Sequence, residues 1–164
     1  MSSVEEYAAQ PRNHRLSRLA LTGDQLRVAV GGSAADSLSR RPEPEAWAPV
    51  EIICHLRDTE EWFLTRCRWI VEMQEPRFPR NSPDRWAKER QYLRNDARAA
   101  LESFRRWRDE SLAFFGALTE EAWTRGGVHL DSRGRRTLDQ FLSTMAWHDD
   151  NHLDQLRRAL AGRP

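Results

Sequence analysis

Residues 137–160 read TLDQFLSTMAWHDDNHLDQLRRAL, and the way this stretch winds decides the fold. On a helix, Leu138, Phe141, Leu142, Met145, Leu153, Leu156 and Leu160 fall on one broad apolar stripe. His148 and His152 continue the line from Phe141 and Met145 toward Leu156, so the periodicity points both imidazoles inward and not to solvent. This is the fourth and last of the amphipathic segments.

Working back along the chain, Ala97, Ala100, Phe104, Trp107, Ser111, Phe114 and Leu118 step by alternating threes and fours, the seam of an antiparallel bundle, with Arg, Asp and Glu opposite. Residues 49–74 carry Ile52, Ile53, Leu56, Phe63, Cys67 and Ile70 at helical spacing and open with Pro49, a residue at home in a first turn. Residues 12–30 place Leu16, Leu19, Leu26 and Val30 on one face until Gly31 and Gly32 end the run. The stretch EPRFPRNSPDRW, residues 75–86, contains Pro76, Pro79 and Pro83, so nothing helical crosses it and it must be a long connection. LTEEAW is a short extra turn, and TRGGVHLDSRGRRT, residues 124–137, is a loop or small irregular hairpin. With no repeats and no strand-rich region, the predicted class is all-α, a four-helix bundle.

The 164 residues suit one domain, 1–164, with a real hydrophobic core. Twenty-six basic and twenty-five acidic side chains leave a formal charge of +1, which offers no global field for steering nucleic acid or an anionic membrane. A nucleic-acid reading would rest on RRWR, residues 105–108, but Trp107 falls on the core seam and the arginines read as a solvated face. Apolar runs such as 112–118 fall far short of the roughly 20 residues a membrane helix needs, and the N-terminus lacks a basic region followed by an apolar one; a cytoplasmic protein is expected. Cys54 and Cys67 lie about 20 Å apart along one helix, beyond disulfide reach. Trp47, Trp62, Trp69, Trp86, Trp123 and Trp147 read as core, with some left over for a contact between subunits of a homodimer.

Two histidines one helical turn apart can converge on one ion, although the pair alone also arises in purely structural settings. His55, one turn from Ile52 in WAPVEIICHLRDTEEWF, adds a third inward imidazole. Three buried imidazoles are costly without a shared purpose, and a divalent metal supplies one: neutral imidazole binds Zn, Ni, Cu and Fe, and three protein ligands leave a position open. His14 and His129 take the plainer reading of solvated residues, with a place over the mouth of a pocket as the alternative for His129. Asp58, Asp149, Asp150 and Asp154 are candidates to receive the second N–H of a ligand imidazole or to supply an oxygen ligand, though most read as surface charges.

The two histidine segments resemble a known family. W-x-P-x-E-I-x-x-H-L-x-D-x-E from Trp47 to Glu60, followed by T-L-x-x-x-L-x-x-x-x-W-H-D-x-x-H-L-x-Q-L from Thr137 to Leu156, is similar to the DinB/YfiT-like superfamily. The resemblance implies a four-helix bundle with a long crossover between helices two and three, and a divalent metal, Zn or Ni foremost, held by His55, His148 and His152. Arg133 to Arg136 resemble the family's basic approach to the last helix. Characterised relatives are thiol-dependent transferases and isomerases using mycothiol, bacillithiol or glutathione, while others are described as metal-dependent hydrolases. The expected activity is therefore metal-dependent transfer of a low-molecular-weight thiol to a small electrophile. A hydrolase and a non-enzymatic metal- or ligand-binding stress protein are the alternatives. No Ser or Cys stands in a nucleophile motif and no carboxylate is placed as in H-E-x-x-H, which favours the thiol reaction.

Overall fold

Local chemistry sets the ends of three of the long helices. A computed structural model describes residues 3–130 and 134–164, in chain order α1 (Val4–Ala8), α2 (Arg12–Val30), α3 (Ala35–Leu38), α4 (Pro49–Glu72), β1 (Arg77–Phe78), α5 (Pro83–Glu89), α6 (Ala97–Gly116), β2 (Gly126–His129), β3 (Arg135–Thr137) and α7 (Leu138–Leu160). Pro49 opens α4, and Glu51 one turn in accepts the Ala48 N–H at 2.8 Å while Arg41 grips its carboxylate. Asp96 caps α6 through the Ala99 N–H at 2.7 Å. Thr137 and Gln140 form a reciprocal capping box at the start of α7, and Gly162, at φ +70°, turns the chain away after its end.

The four long helices, α2, α4, α6 and α7, make the expected four-helix bundle. α2 packs on α6 and α7, and α4 packs on the same two, so α2 and α4 stand across the bundle from each other. Paired side chains give the directions. Arg15 meets Ser143 and Thr22 meets Asp149, so α2 and α7 run parallel. Glu60 meets Arg108 and Arg68 meets Glu110, so α4 and α6 also run parallel. Parallel neighbours cannot be joined by a tight turn. Residues 73–96 therefore carry the chain back along the bundle, and this is the long crossover between the second and third bundle helices.

Of the two expected alternatives for residues 124–137, the small hairpin is the one that forms, and the addition of a third strand from the crossover was not foreseen. β1 pairs in parallel with β2, Phe78 opposite His129, and β2 pairs antiparallel with β3. A two-residue strand is too short to have a hydrophobic period. Gly127 makes the pairing feasible, because a Cβ there would lie 2.3 Å from Phe78 Cζ and 2.8 Å from the Pro76 carbonyl oxygen. The sheet ties the crossover to the head of α7 and carries His129 inward, to 6% exposure, where a solvated residue was expected. Arg133 lies outside the described residues.

The interior divides into two apolar cores. Leu26, Ile52, Ile53, Leu101, Phe104, Leu153 and Leu156 pack at one end. Leu19, Cys67, Ile70, Phe78, Phe115, Leu138, Phe141 and Leu142 pack at the other. Between them each bundle helix contributes polar side chains: Thr22 from α2, His55 and Glu60 from α4, Arg108 from α6, and His148, Asp149 and His152 from α7. Arg108 corrects the reading of α6. It is 3% exposed, whereas Trp107, placed on the seam by its hydrophobicity, is only half-buried. The seam runs through Ala97, Ala100, Leu101, Phe104, Arg108, Ser111 and Phe115 because two carboxylates wait for the guanidinium in the centre. Among the described residues, no helix is long and apolar enough to cross a membrane.

Candidate metal centre

α4 and α7 are antiparallel neighbours, so His55, about two turns into α4, meets His148 and His152 near the middle of α7. The three offer nitrogen ligand atoms that all lie within 4.8 Å of one another. His55 Nε2 is 3.0 Å from His148 Nε2, and the ring of His152 packs edge-on against both, at centroid distances of 4.5 and 4.4 Å. Two imidazole nitrogens at 3.0 Å repel if both present lone pairs, so a proton or a cation must lie between them. The donor set fits a divalent first-row ion, which His55, His148 and His152 would hold.

The electrostatics keep the donors neutral. Burial, reinforced by the neighbouring His152, pushes His55 down to about 3. Burial also drives His148 well below the usual histidine range, with His152, His55 and Arg108 adding to it. His152 is lowered by burial too, opposed by its bond to Gln155 and by Asp149. At neutral pH each ring is therefore neutral, with one nitrogen protonated and the lone pair of the other available to a cation.

The outer partners of the imidazoles differ from the expected ones. None of the four candidate aspartates is hydrogen-bonded to the triad. Asp58 accepts from Tyr92 at 2.7 Å and pairs with Arg57 and Arg90; Asp149 is held by Arg108 and Thr22; Asp150 is bonded to Tyr7 and Arg18; Asp154 pairs with Arg158. A guanidinium or phenol within reach takes a carboxylate in preference to a neutral ring. The ring contacts are neutral instead: Thr59 Oγ1 sits 3.3 Å from His55 Nδ1, and Gln155 Oε1 sits 2.7 Å from His152 Nδ1. Both partners lie one helical turn from their histidine, a spacing legible in the sequence once the histidines are singled out.

The triad opens onto a cavity of about 920 Å³. Trp47, Trp62, Phe63, Phe141 and Trp147 form its aromatic walls, so three tryptophans read as core or interface line the cavity instead. Arg66, Arg136, Thr59, Ser143 and Thr144 add polar groups, and Glu5 is the only carboxylate in the lining among the described residues. His129 also lines the cavity, stacked on Phe141, but lies outside the three-histidine cluster. His14 is exposed, as expected.

The depressed histidines make the metal-free protein acid-sensitive. The unfolded chain takes up protons near the reference pKa of about 6.5, whereas the folded chain resists them. Stability should be full above that value and fall as pH drops below it, by at most about 1.4 kcal/mol per pH unit for each histidine. The loss should continue until the folded chain itself protonates, near 3 for His55. Urea midpoints of chelator-treated protein between pH 8 and pH 5 would measure this; a flat profile would contradict it.

Three comparisons bear on this site. The sequence matches the family model described as the DinB superfamily over residues 18–156. No curated protein matches it significantly. Among solved structures, YfiT from Bacillus subtilis, described as a "probable metal-dependent hydrolase with an unusual four-helix bundle topology", aligns with a TM-score of 0.83 at 18% identity, over 97% of this chain and 88% of that one. A mycothiol-dependent maleylpyruvate isomerase aligns with a TM-score of 0.72 at 12% identity; 95% of this chain is covered, and it spans 63% of the isomerase. Likeness at such identities is a likeness of fold.

Proposed function

The chain belongs to the DinB superfamily, and from that premise we propose that it is a divalent-metal-dependent transferase joining a low-molecular-weight thiol to a small electrophile. The observation that carries this reading is a roomy cavity with three neutral nitrogen donors in its lining and, among the described residues, no cysteine. Cys54 and Cys67 are buried outside that lining. Burial pushes the Cys54 thiol up to about 11 and the Cys67 thiol higher still. The reacting sulfur must therefore arrive with a cosubstrate.

A divalent first-row ion held by His55, His148 and His152, zinc or nickel foremost by the family resemblance, would supply Lewis acidity that lowers the pKa of a thiol beside it. The chain's own residues do the rest. Trp47, Trp62, Phe63 and Trp147 bind the apolar body of the electrophile and exclude water from it. Arg66 and Arg136 bring positive charge to the lining. A hydrolase would also need a base to take a proton from water, and Glu5, exposed on α1, is the one carboxylate among the described lining residues. The description of the isomerase as mycothiol-dependent supports the thiol reading, and that of YfiT supports the metal and keeps hydrolysis as the second reading.

The test is a pair of panels. Metal-reconstituted protein is assayed with bacillithiol, mycothiol or glutathione against a chloro-dinitrobenzene, and separately with chromogenic esters and amides. In the first panel an S–C bond forms, the thiol proton passes to solvent and chloride leaves with the C–Cl electron pair. Metal-dependent conjugation with at least one thiol is expected. Ester or amide turnover without thiol acceleration would replace the proposal with the hydrolase, and tight metal binding with neither activity would replace it with a binding protein.

A further inference from the structure

The metal reading uses only the inner faces of the three rings. The outer face of His152 meets Gln155, one turn further along α7, whose Oε1 lies 2.7 Å from Nδ1. We propose that Gln155 is the positioning residue of this centre: by accepting the Nδ1–H it fixes the tautomer of His152 that leaves the Nε2 lone pair facing the other two histidines. The inference rests on the metal-dependent reading of the triad and adds to it the residue that prepares one ligand before any ion arrives.

Three observations support the assignment. The contact is short and made to an amide that can accept without carrying charge. The partner of His55, Thr59, is likewise uncharged and more distant, at 3.3 Å, so Gln155 is the tighter of the two constraints. The carboxylates that could compete are taken: Asp149, adjacent to His148, by Arg108 and Thr22, and Asp154, next to Gln155, by Arg158. Carboxylate partners of ligand histidines raise ring basicity and donate negative charge to the ion. Gln155 orients the ring without that donation. An ion held there would consequently keep its positive charge, which would suit an anionic partner such as a thiolate.

The tautomer can be read in the metal-free protein, so the inference is separable from activity. ¹⁵N NMR of histidine-labelled wild-type protein at pH 8 is expected to show His152 with a protonated Nδ1 and an unprotonated Nε2. In Gln155→Leu that preference should relax toward the mixture of a free imidazole. Competition with a chromogenic chelator for Zn²⁺ should show a loss of about 10–100-fold for Gln155→Leu, the range typical of outer-shell partners, with recovery in Gln155→Glu, which can accept the same N–H. A wild-type His152 protonated at Nε2 would overturn the proposal even if the protein binds Zn²⁺ tightly. So would a Gln155→Leu variant that keeps both tautomer and affinity. If Gln155→Leu does not fold, the wild-type tautomer and the affinity of Gln155→Glu decide: an Nδ1–H tautomer with retained affinity upholds the proposal, and an affinity loss in Gln155→Glu of the size expected for leucine overturns it. A wild-type protein with the expected tautomer and no affinity for divalent metal would sink the metal reading and leave the orienting contact intact.

Discussion

Arg108→Met should cost the bundle about 3–5 kcal/mol or more, enough to threaten folding of a domain whose total stability is on the order of 5–15 kcal/mol. Arg108 lies at the centre, 3% exposed, and donates through all three guanidinium nitrogens: Nε and Nη2 at 2.9 and 2.7 Å to Glu60, Nη1 and Nη2 at 2.6 and 3.0 Å to Asp149, and Nη1 at 2.8 Å to the Leu19 carbonyl. Burial opposes its charge, but Asp149 and Glu60 outweigh that and hold its pKa above the ordinary value. These bonds join α2, α4 and α7 through one side chain of α6. Removing the cation leaves two carboxylates facing each other in a region sealed at both ends by apolar cores, and the cost is that of uncompensated buried charge, well above the net worth of the original pairs. The triple variant Glu60→Gln, Arg108→Met, Asp149→Asn should accordingly be more stable than Arg108→Met alone. Urea unfolding followed by tryptophan fluorescence would test both statements; a single variant within about 1 kcal/mol of the wild type would show that the polar layer is hydrated or rearranges cheaply.

The second large effect concerns the triad. His55→Ala, His148→Ala and His152→Ala should each lower divalent-metal affinity by more than about 100-fold, since losing a ligand costs more than losing an outer-shell partner. His129→Ala is the informative control. His129 is also a buried imidazole in the same cavity lining, yet it is outside the cluster whose ligand atoms converge. Its replacement should leave affinity within a few-fold of the wild type. Chelator competition on protein purified without a polyhistidine tag, with elemental analysis, reads all four variants. Retention of wild-type affinity by any triad variant, or a collapse of affinity in His129→Ala, would require a different ligand set.

Much of the bundle was legible because amphipathic helices advertise themselves over many turns. The expected 12–30, 49–74 and 97–118 correspond to Arg12–Val30, Pro49–Glu72 and Ala97–Gly116. The inward aim of His55, His148 and His152 followed from the same periodicity. The errors share a cause. Arg108 was assigned to a solvated face, Asp58 and Asp149 to the surface, and His129 to solvent, because a polar residue is placed outside unless its partner is known. Their partners come from other elements: Glu60 and Asp149 for Arg108, Tyr92 for Asp58, Phe78 and Phe141 around His129. Trp47, Trp62 and Trp147 were assigned to core or interface for the complementary reason, since hydrophobicity alone does not distinguish a packed wall from the wall of a cavity.

By itself, then, the sequence determined four helices, their inward faces and three imidazoles on two of those faces, all properties of spacing within single segments. Only the tertiary structure decided that the expected crossover joins helices, α4 and α6, that run parallel, that β1 and β2 meet from distant parts of the chain, and that a charged layer divides the core. It also decided which outer partners the histidines keep. Asp149 stands beside His148 in the chain but turns to Arg108, leaving the neutral Gln155 to hold His152. The physical reason is that the free energy of a buried charge depends on the countercharge a few ångströms away, and that distance exists only after the helices have packed.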